Sequence, residues 1–314
     1  MTMRAIVVDP EAAGSLRLGT APEPAPTPSQ LLLDVRHFSL NRGEVEFAGG
    51  RPAGAVHGYD AAGVVVRAAA DGSGPAAGAR VAAFGPGAWA ARMAVETTAV
   101  AEVPEGVGLA EAAALPMAGL TALRTVRSRS VLGRRVLVTG ASGGVGRYAV
   151  QLAALAGAEV VASVGSAERG AGLDALGADR VVVGVEGVDG PVDLIIDTVG
   201  GPRLVAAWEL LAPGGEVRNV GWASNEPAVF PPYSLFAIGP ARTMSTFGDV
   251  SDVGPDLATL LRFVEAGRLS PEIGRRGSWR EAPAAAEALL ARRIAGKAVL
   301  ETTGPDNPET ATGG

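Results

Sequence analysis

One stretch of this chain constrains its fold more than any other. It is Val136-Leu137-Val138-Thr139-Gly140-Ala141-Ser142-Gly143-Gly144-Val145-Gly146, continuing into Arg147-Tyr148-Ala149-Val150-Gln151-Leu152-Ala153. A short apolar run of the kind buried on both faces of a parallel sheet meets a glycine-rich turn. The turn opens into residues whose apolar members, Val145, Ala149, Leu152 and Ala153, recur at helical spacing. Gly157-Ala158 ends that helix, and Glu159–Val164 reads as the next strand, completing a βαβ unit. Gly140, Gly143 and Gly146 are spaced G-x-x-G-x-x-G. Glycine lets such a turn bend and lets backbone approach a pyrophosphate, whose charge meets the free N–H groups of the helix start. The unit therefore predicts a dinucleotide site, with Ser142, Gly143, Gly144 and Val145 at the pyrophosphate.

The end of the second strand discriminates between dinucleotides. A site for NAD keeps an acidic residue there to hold the ribose hydroxyls. This chain has Ser163-Val164-Gly165-Ser166, followed by Arg169. No carboxylate stands there to repel a 2′-phosphate, Ser163 and Ser166 carry donors, and Arg169 adds charge. Glu168 is expected to point outward. The reading is NADPH, with Arg169 as an ordinary solvated residue the alternative.

The rest of the chain divides around this unit. Up to about residue 112, short apolar runs (Ala5–Val8, Leu31–Val35, Gly63–Val66, Arg80–Ala83, Arg92–Val95) alternate with Gly/Pro-rich turns, as in a β-rich domain. The proline-rich segment 21–28 reads as a surface connector. Helices are expected at Glu111–Leu115 and Gly119–Val126. Beyond Val136, strands at Arg180–Val183, Leu194–Asp197 and Glu216–Val220 alternate with helices at Gly170–Leu176 and Arg203–Leu211, the pattern of a doubly wound parallel sheet. Asp256–Ala266 and Glu281–Ile294 read as further helices and Lys297–Glu301 as a last strand; residues 302–314 read as a disordered tail.

Composition excludes several classes. A net charge of −6 gives no footing for nucleic acid or an anionic membrane. The chain has no cysteine, so neither disulfides nor thiolate metal ligands are available, and its only histidines are His37 and His57. No signal peptide or membrane-length apolar run is seen, and the expected location is cytoplasmic.

Further motifs fall in a recognisable order: Ser39-Leu40-Asn41-Arg42-Gly43-Glu44, Gly58-Tyr59-Asp60-Ala61-Ala62-Gly63-Val64-Val65, Gly78-Ala79-Arg80-Val81 and Ala118-Gly119-Leu120-Thr121-Ala122. After the glycine turn come Asp197-Thr198-Val199-Gly200-Gly201, Pro213-Gly214-Gly215 and Gly296-Lys297-Ala298-Val299-Leu300. In this order they resemble the medium-chain dehydrogenase/reductase superfamily, in its zinc-independent, quinone-oxidoreductase-like branch. The resemblance implies an α/β chain with a GroES-like β-barrel catalytic domain (1–112, completed by 268–301) and a Rossmann NADP-binding domain (113–267), the cofactor lying between them. It aligns Asn41, Tyr59 and Met117 with the catalytic zinc ligands of zinc-dependent relatives. None is a usual zinc ligand, so no metal is expected.

Without a metal to ionise an alcohol, the resemblance implies hydride delivery to a small-molecule acceptor, a quinone or an α,β-unsaturated carbonyl. A dedicated biosynthetic enoyl or ketone reductase, or an NADPH-binding protein with little turnover, are the alternatives. Asn41 is a candidate to bond the acceptor carbonyl or the nicotinamide ribose, or else forms a turn; Arg42 is a further candidate donor. Tyr59 is a candidate proton donor, or else packs in the barrel. Thr121, Gly221 and Trp222 are expected near the nicotinamide and Thr198 and Val199 on the adenosine side. Lys297 either reaches the cofactor or caps a strand. Relatives often pair as homodimers through an edge strand, for which Thr243–Phe247 is the candidate.

Overall fold

The computed structural model describes residues 1–236 and 239–302. The chain divides into two compact units. One comprises Met1–Met117, Ser251–Glu265 and the segment from Ile273 onward; the other comprises Ala118–Val250 and Ala266–Glu272.

The first unit begins with β1 (Thr2–Val8) and β2 (Leu16–Pro22), an antiparallel pair. It continues through β3 (Gln30–Leu40), α1 (Arg42–Glu46), β4 (Asp60–Arg67), β5 (Arg80–Phe84), β6 (Arg92–Glu96), β7 (Val100–Glu102) and α2 (Leu109–Ala113). Then α3 (Pro116–Arg127) leads into the second unit, its proline at the first helical position, where a missing N–H costs nothing.

The second unit carries β8 (Arg135–Thr139), α4 (Gly144–Leu155), β9 (Glu159–Val164), β10 (Arg180–Val183), β11 (Val192–Asp197), α5 (Gly201–Trp208), β12 (Leu211–Asn219) and β13 (Thr243–Thr246). Its sheet runs β10-β9-β8-β11-β12-β13, every neighbouring pair parallel. That is the doubly wound order, in which the succession of strands reverses between β8 and β11, the place where such sheets open a crevice at the strands' carboxyl ends. Leu137, Val161, Ile195 and Val217 from the sheet pack with Leu204, Ala207 and Trp208 of α5.

The chain closes with α6 (Gly254–Glu265), β14 (Ile273–Ser278), α7 (Ala282–Leu290) and β15 (Lys297–Glu301). The large sheet of the first unit runs β14-β15-β3-β4-β5-β7, with β6 also on β3; all its pairs are antiparallel except β14–β15. Phe38, Trp89, Met93 and Leu300 form its core with Ala282, Ala285 and Ala286 of α7.

Two expectations change. The stretch 170–176 makes no α-helix: a short 3-10 turn at Ala167–Gly170 gives way to turns, because Gly172 (φ 77°) and Gly177 (φ 100°) take left-handed conformations. And α6, expected within the nucleotide-binding domain, groups with the first unit. Its Gly254 packs so closely there that a β-carbon would stand 2.8 Å from the Val100 carbonyl oxygen. The expected tail lies, apart from Thr302, outside the described residues. Among these, no helix is long and apolar enough to cross a membrane.

Candidate active site

In the second unit, the glycine turn is shaped by close packing at Gly140 and Gly146. Gly140 has φ 62°, and a β-carbon on it would run into the Thr198 hydroxyl, which donates to the Thr139 carbonyl at 2.8 Å. On Gly146 a β-carbon would stand 2.6 Å from the Ala141 Cα. Gly143 caps α4, and the first N–H groups of a helix have no partner within it. These features fit a pyrophosphate cradle in which Ser142, Gly143, Gly144 and Val145 present backbone to an anion. The Ser142 hydroxyl is buried and accepts from Arg169 Nε at 3.2 Å.

A carboxylate missed by sequence reasoning ties this crevice together. Asp197, fully buried at the end of β11, accepts from Thr139 Oγ1 (2.5 Å), Asn219 Nδ2 (2.7 Å) and the N–H groups of Gly200 (3.0 Å) and Val199 (3.3 Å). It thus joins the carboxyl ends of β8, β11 and β12. The visible signal was an acid ending an apolar strand run, Leu194-Ile195-Ile196-Asp197.

In the first unit, strand register builds a buried polar cluster. Ser39 pairs with Asp60 across β3 and β4, and Leu40 pairs with Ala298 across β3 and β15. Asn41, Asp60 and Lys297 are therefore neighbours. Asp60 Oδ2 accepts from Ser39 Oγ (2.7 Å), Asn41 Nδ2 (2.8 Å) and Lys297 Nζ (3.1 Å), while Oδ1 accepts from the Met117 N–H (2.8 Å). Asn41 is the N-cap of α1. Its N–H (2.9 Å) and Nδ2 (3.1 Å) both donate to Glu44 Oε2, and its Oδ1 accepts from Lys297. Glu44 Oε1 is buried without a hydrogen-bond partner among the described residues. Burial first, and the Asp60 carboxylate second, push the Glu44 carboxyl up to about 8, against the pull of Lys297 and Asn41.

Beside this cluster, Tyr59 is half-buried. Its ring stacks on Phe84 at 5.7 Å and meets the His57 ring edge-on at 5.8 Å. Its hydroxyl makes no hydrogen bond to any described residue. His57 is buried and packs against Trp89; burial and the Arg51 charge lower its pKa to about 4. Gly58 between them has φ 91°, and the Trp89 indole fills the place of a β-carbon, so this position of the motif must be glycine.

Comparison with known proteins agrees with this architecture. The family model described as Zinc-binding dehydrogenase matches residues 176–300. Spectinabilin polyketide synthase system protein NorB of Streptomyces orinoci is 32% identical over 309 residues, which is 91% of this chain and 14% of NorB. Erythronolide synthase EryA2 of Saccharopolyspora erythraea is 32% identical over 313 residues, 91% of this chain and 8% of EryA2. The chain thus spans only a small part of the curated relatives it matches. Among solved structures, the quinone oxidoreductase from Coxiella burnetii shares 26% identity at a TM-score of 0.81, covering 96% of this chain and 100% of that one. Mycobacterial Rv1454c complexed with NADPH shares 25% identity at a TM-score of 0.85, covering 95% and 99%. The chain belongs to the medium-chain dehydrogenase/reductase superfamily. Within it, the chain falls in the quinone-oxidoreductase-like branch.

For a medium-chain dehydrogenase/reductase, the residues at the three catalytic-zinc positions do not fit the metal. Asn41 is engaged on every side by Lys297, Glu44 and Asp60; Tyr59 and Met117 are poor ligands; and no group of three or more His, Asp or Glu able to hold a metal occurs among the described residues.

The other expected site residues are distributed as follows. Thr121 is buried in α3, and Thr198 and Val199 are half-buried. A β-carbon on Gly221 would lie 3.0 Å from the Thr198 carbonyl oxygen. The exposed Trp222 covers Gly200 and donates from Nε1 to Glu226 O at 2.7 Å. Ser166 is half-buried at the start of the 3-10 turn that carries Arg169. Ser163, expected to donate to a 2′-phosphate, points instead to the buried side of β9 and donates to the Gly184 carbonyl at 2.8 Å. Lys297 is buried, with its donors engaged inside the first unit. Arg42 donates to the carbonyls of Leu289 (3.1 Å) and Leu290 (2.8 Å), capping α7.

Proposed function

We propose that this chain is a zinc-independent, NADPH-dependent reductase of quinones or α,β-unsaturated carbonyls. The observation that carries the reading is the cradle around Gly140–Gly146, with Arg169 held at 3.2 Å from Ser142 and no carboxylate at the end of β9. The NADPH complex of Rv1454c supports the choice of cofactor. When bound, the reduced nicotinamide supplies a hydride. Ser142, Gly143, Gly144 and Val145 bind the pyrophosphate, and Ser166 and Arg169 bind the 2′-phosphate. Thr121, Thr198, Val199, Gly221 and Trp222 line the remainder of the cofactor site. Ser163 and Lys297, both engaged internally, act through the shape of their surroundings.

Tyr59 holds the proton that the reduced acceptor needs. Its hydroxyl has no competing acceptor among the described residues, so it is available to donate at the oxygen where charge develops. Asn41 helps to orient the reactants. The absence of cysteine and the occupancy of the zinc positions support chemistry without a metal.

A second reading is an enoyl reductase working on thioester-bound acyl chains, favoured by the likeness to the polyketide synthase proteins NorB and EryA2. One experiment tests both. Purified protein is mixed with NADPH or NADH and a panel of quinones, enones and enoyl pantetheine thioesters, and nicotinamide absorbance is followed. Oxidation of NADPH with quinones or simple enones supports the first reading, and turnover confined to thioesters supports the second. A tight NADPH complex that no acceptor oxidises refutes both and points to a binding protein.

A further inference from the structure

Directly after the last glycine of the cradle, α4 carries an arginine, Arg147, that is only 7% exposed. Its buried neighbours along the helix are mostly small or apolar. A guanidinium is costly to bury unless it is paired, so its partners show what it holds. Nη1 donates to Glu272 Oε2 at 2.9 Å and Nη2 to the Ala171 carbonyl at 3.2 Å, while Nε is buried with no partner among the described residues. A planar guanidinium can serve two acceptors from two different nitrogens. Here one arm makes an ion pair and the other grips backbone.

The ion-pair arm is itself well anchored. Glu272 Oε1 accepts from Ser270 Oγ at 2.9 Å. One helical turn beyond Arg147, Gln151 accepts the Ser270 N–H at 2.7 Å and donates to the Ser270 carbonyl at 3.1 Å. The backbone arm reaches a segment that needs holding. The 3-10 turn Ala167–Gly170, which carries Arg169, lies between Gly165 and Gly172. A β-carbon on either glycine would meet nothing within 4 Å beyond its chain neighbours. The turn's own backbone bonds are local: Arg169 N–H to Ser166 O at 3.2 Å and Ala171 N–H to Glu168 O at 3.3 Å. Local bonds shape a turn but do not fix where it stands on the sheet. Beside the Arg169–Ser142 bond, two contacts do so. Gly170 lies so close to β10 that a β-carbon would stand 2.7 Å from Val181 Cγ1, and Arg147 holds Ala171.

We propose that Arg147 is a positioning residue for cofactor choice: by gripping Ala171 it fixes the turn that presents Ser166 and Arg169 to a 2′-phosphate, and so it sets the preference for NADPH over NADH. This rests on the reading that Ser166 and Arg169 bind that phosphate. Arg147 acts on the phosphate only through the turn, so its removal should cost discrimination and leave the rest of the cofactor site intact.

The test is calorimetric binding of NADPH, NADH, 2′,5′-ADP and 5′-AMP to wild type, Arg147→Met, Arg169→Ala and the double variant. Methionine fills much of the same space, and the Glu272 side chain it leaves unpaired is 32% exposed and can be hydrated. Arg147→Met is expected to weaken NADPH and 2′,5′-ADP about tenfold, the worth of one misplaced charge-assisted contact, and to leave NADH and 5′-AMP unchanged. The double variant is expected to bind no more weakly than Arg169→Ala alone. Equal losses for all four ligands would overturn the proposal, because Arg147 would then support the unit as a whole; so would losses that multiply with those of Arg169→Ala. If Arg147→Met does not fold, Arg147→Lys replaces it. This keeps a charge beside Glu272 but not the planar fork, and is expected to lose discrimination likewise; wild-type discrimination in Arg147→Lys overturns the proposal. Arg169→Ala separates the two possible failures. If it weakens 2′,5′-ADP while Arg147→Met does not, the positioning role alone is refuted. If Arg169→Ala leaves 2′,5′-ADP and 5′-AMP binding as in wild type, the 2′-phosphate reading beneath it is refuted.

Discussion

Replacing Glu44 by glutamine should remove a pH dependence of stability that the wild-type fold carries. In the folded chain burial and Asp60 hold the Glu44 carboxyl protonated up to about pH 8, whereas the unfolded chain releases that proton near the ordinary glutamate value of 4.5. Between these values the folded state binds one more proton than the unfolded state, so stability is greatest at low pH and falls as pH rises. The loss is about 1.4 kcal/mol per pH unit, or about 5 kcal/mol across the window. His57 opposes it over part of that range. Its pKa is lowered to about 4 from 6.5, so between those values it is the unfolded chain that binds the extra proton, and stability rises with pH. His37, also lowered by burial, acts in the same direction as His57. The Glu44 slope should therefore emerge cleanly between about pH 6.5 and 8. Glutamine reproduces the protonated form, with an acceptor toward the Asn41 N–H groups and a donor at the position of Oε1. Urea unfolding at several pH values should show Glu44→Gln close to wild type at low pH. Its advantage over wild type should grow by about 2 kcal/mol between pH 6.5 and 8. Parallel stability curves for the two proteins over that window would refute a neutral, buried Glu44.

The other predictions concern the two halves of the proposed chemistry. Gly146→Ala puts a β-carbon 2.6 Å from the Ala141 Cα, a backbone clash that cannot relax by side-chain rotation. It should cost about 1–3 kcal/mol and weaken NADPH binding, and wild-type melting together with wild-type fluorescence titration would exclude the cradle geometry. Tyr59→Phe should lower kcat about a hundredfold if Tyr59 is the general acid, leaving the KM for NADPH unchanged; undiminished turnover removes Tyr59 from the mechanism. Arg169→Ala should raise the KM for NADPH about tenfold, the loss of one charge-assisted contact, and leave that for NADH unaltered. Equal effects on both cofactors would reassign Arg169 to holding Ser142 alone.

What the sequence disclosed and what it concealed divide along a physical line. The βαβ unit was legible because its determinants are local: an apolar run, glycines needed for φ and for close approach, and a helical period, all within 30 residues. The helix expected at 170–176 failed for a local reason too. Gly172 and Gly177 were visible, but only their left-handed backbone, set by the surrounding chain, decides between a glycine tolerated in a helix and one that ends it. The polar cluster was not legible, because it is made by register. Lys297 lies 256 residues from Asn41 and 237 from Asp60, and only the pairing of β15 with β3, and of β3 with β4, brings them together. Read singly, Asn41 was a turn residue or a donor and Lys297 a cofactor ligand or a strand cap. Read together, each fixes the hydrogen-bonding state of the other. Asn41 cannot be assigned a role until its neighbours have taken their share of its donors, and those neighbours belong to strands that the motif containing Asn41 does not mention. The same logic applies to Glu44. At the third position of α1 it looks like a capping carboxylate, yet full burial beside Asp60 makes it an acid that keeps its proton. A motif can thus carry over which residue stands at a position while its protonation and hydrogen-bonding direction are decided by the sheet around it.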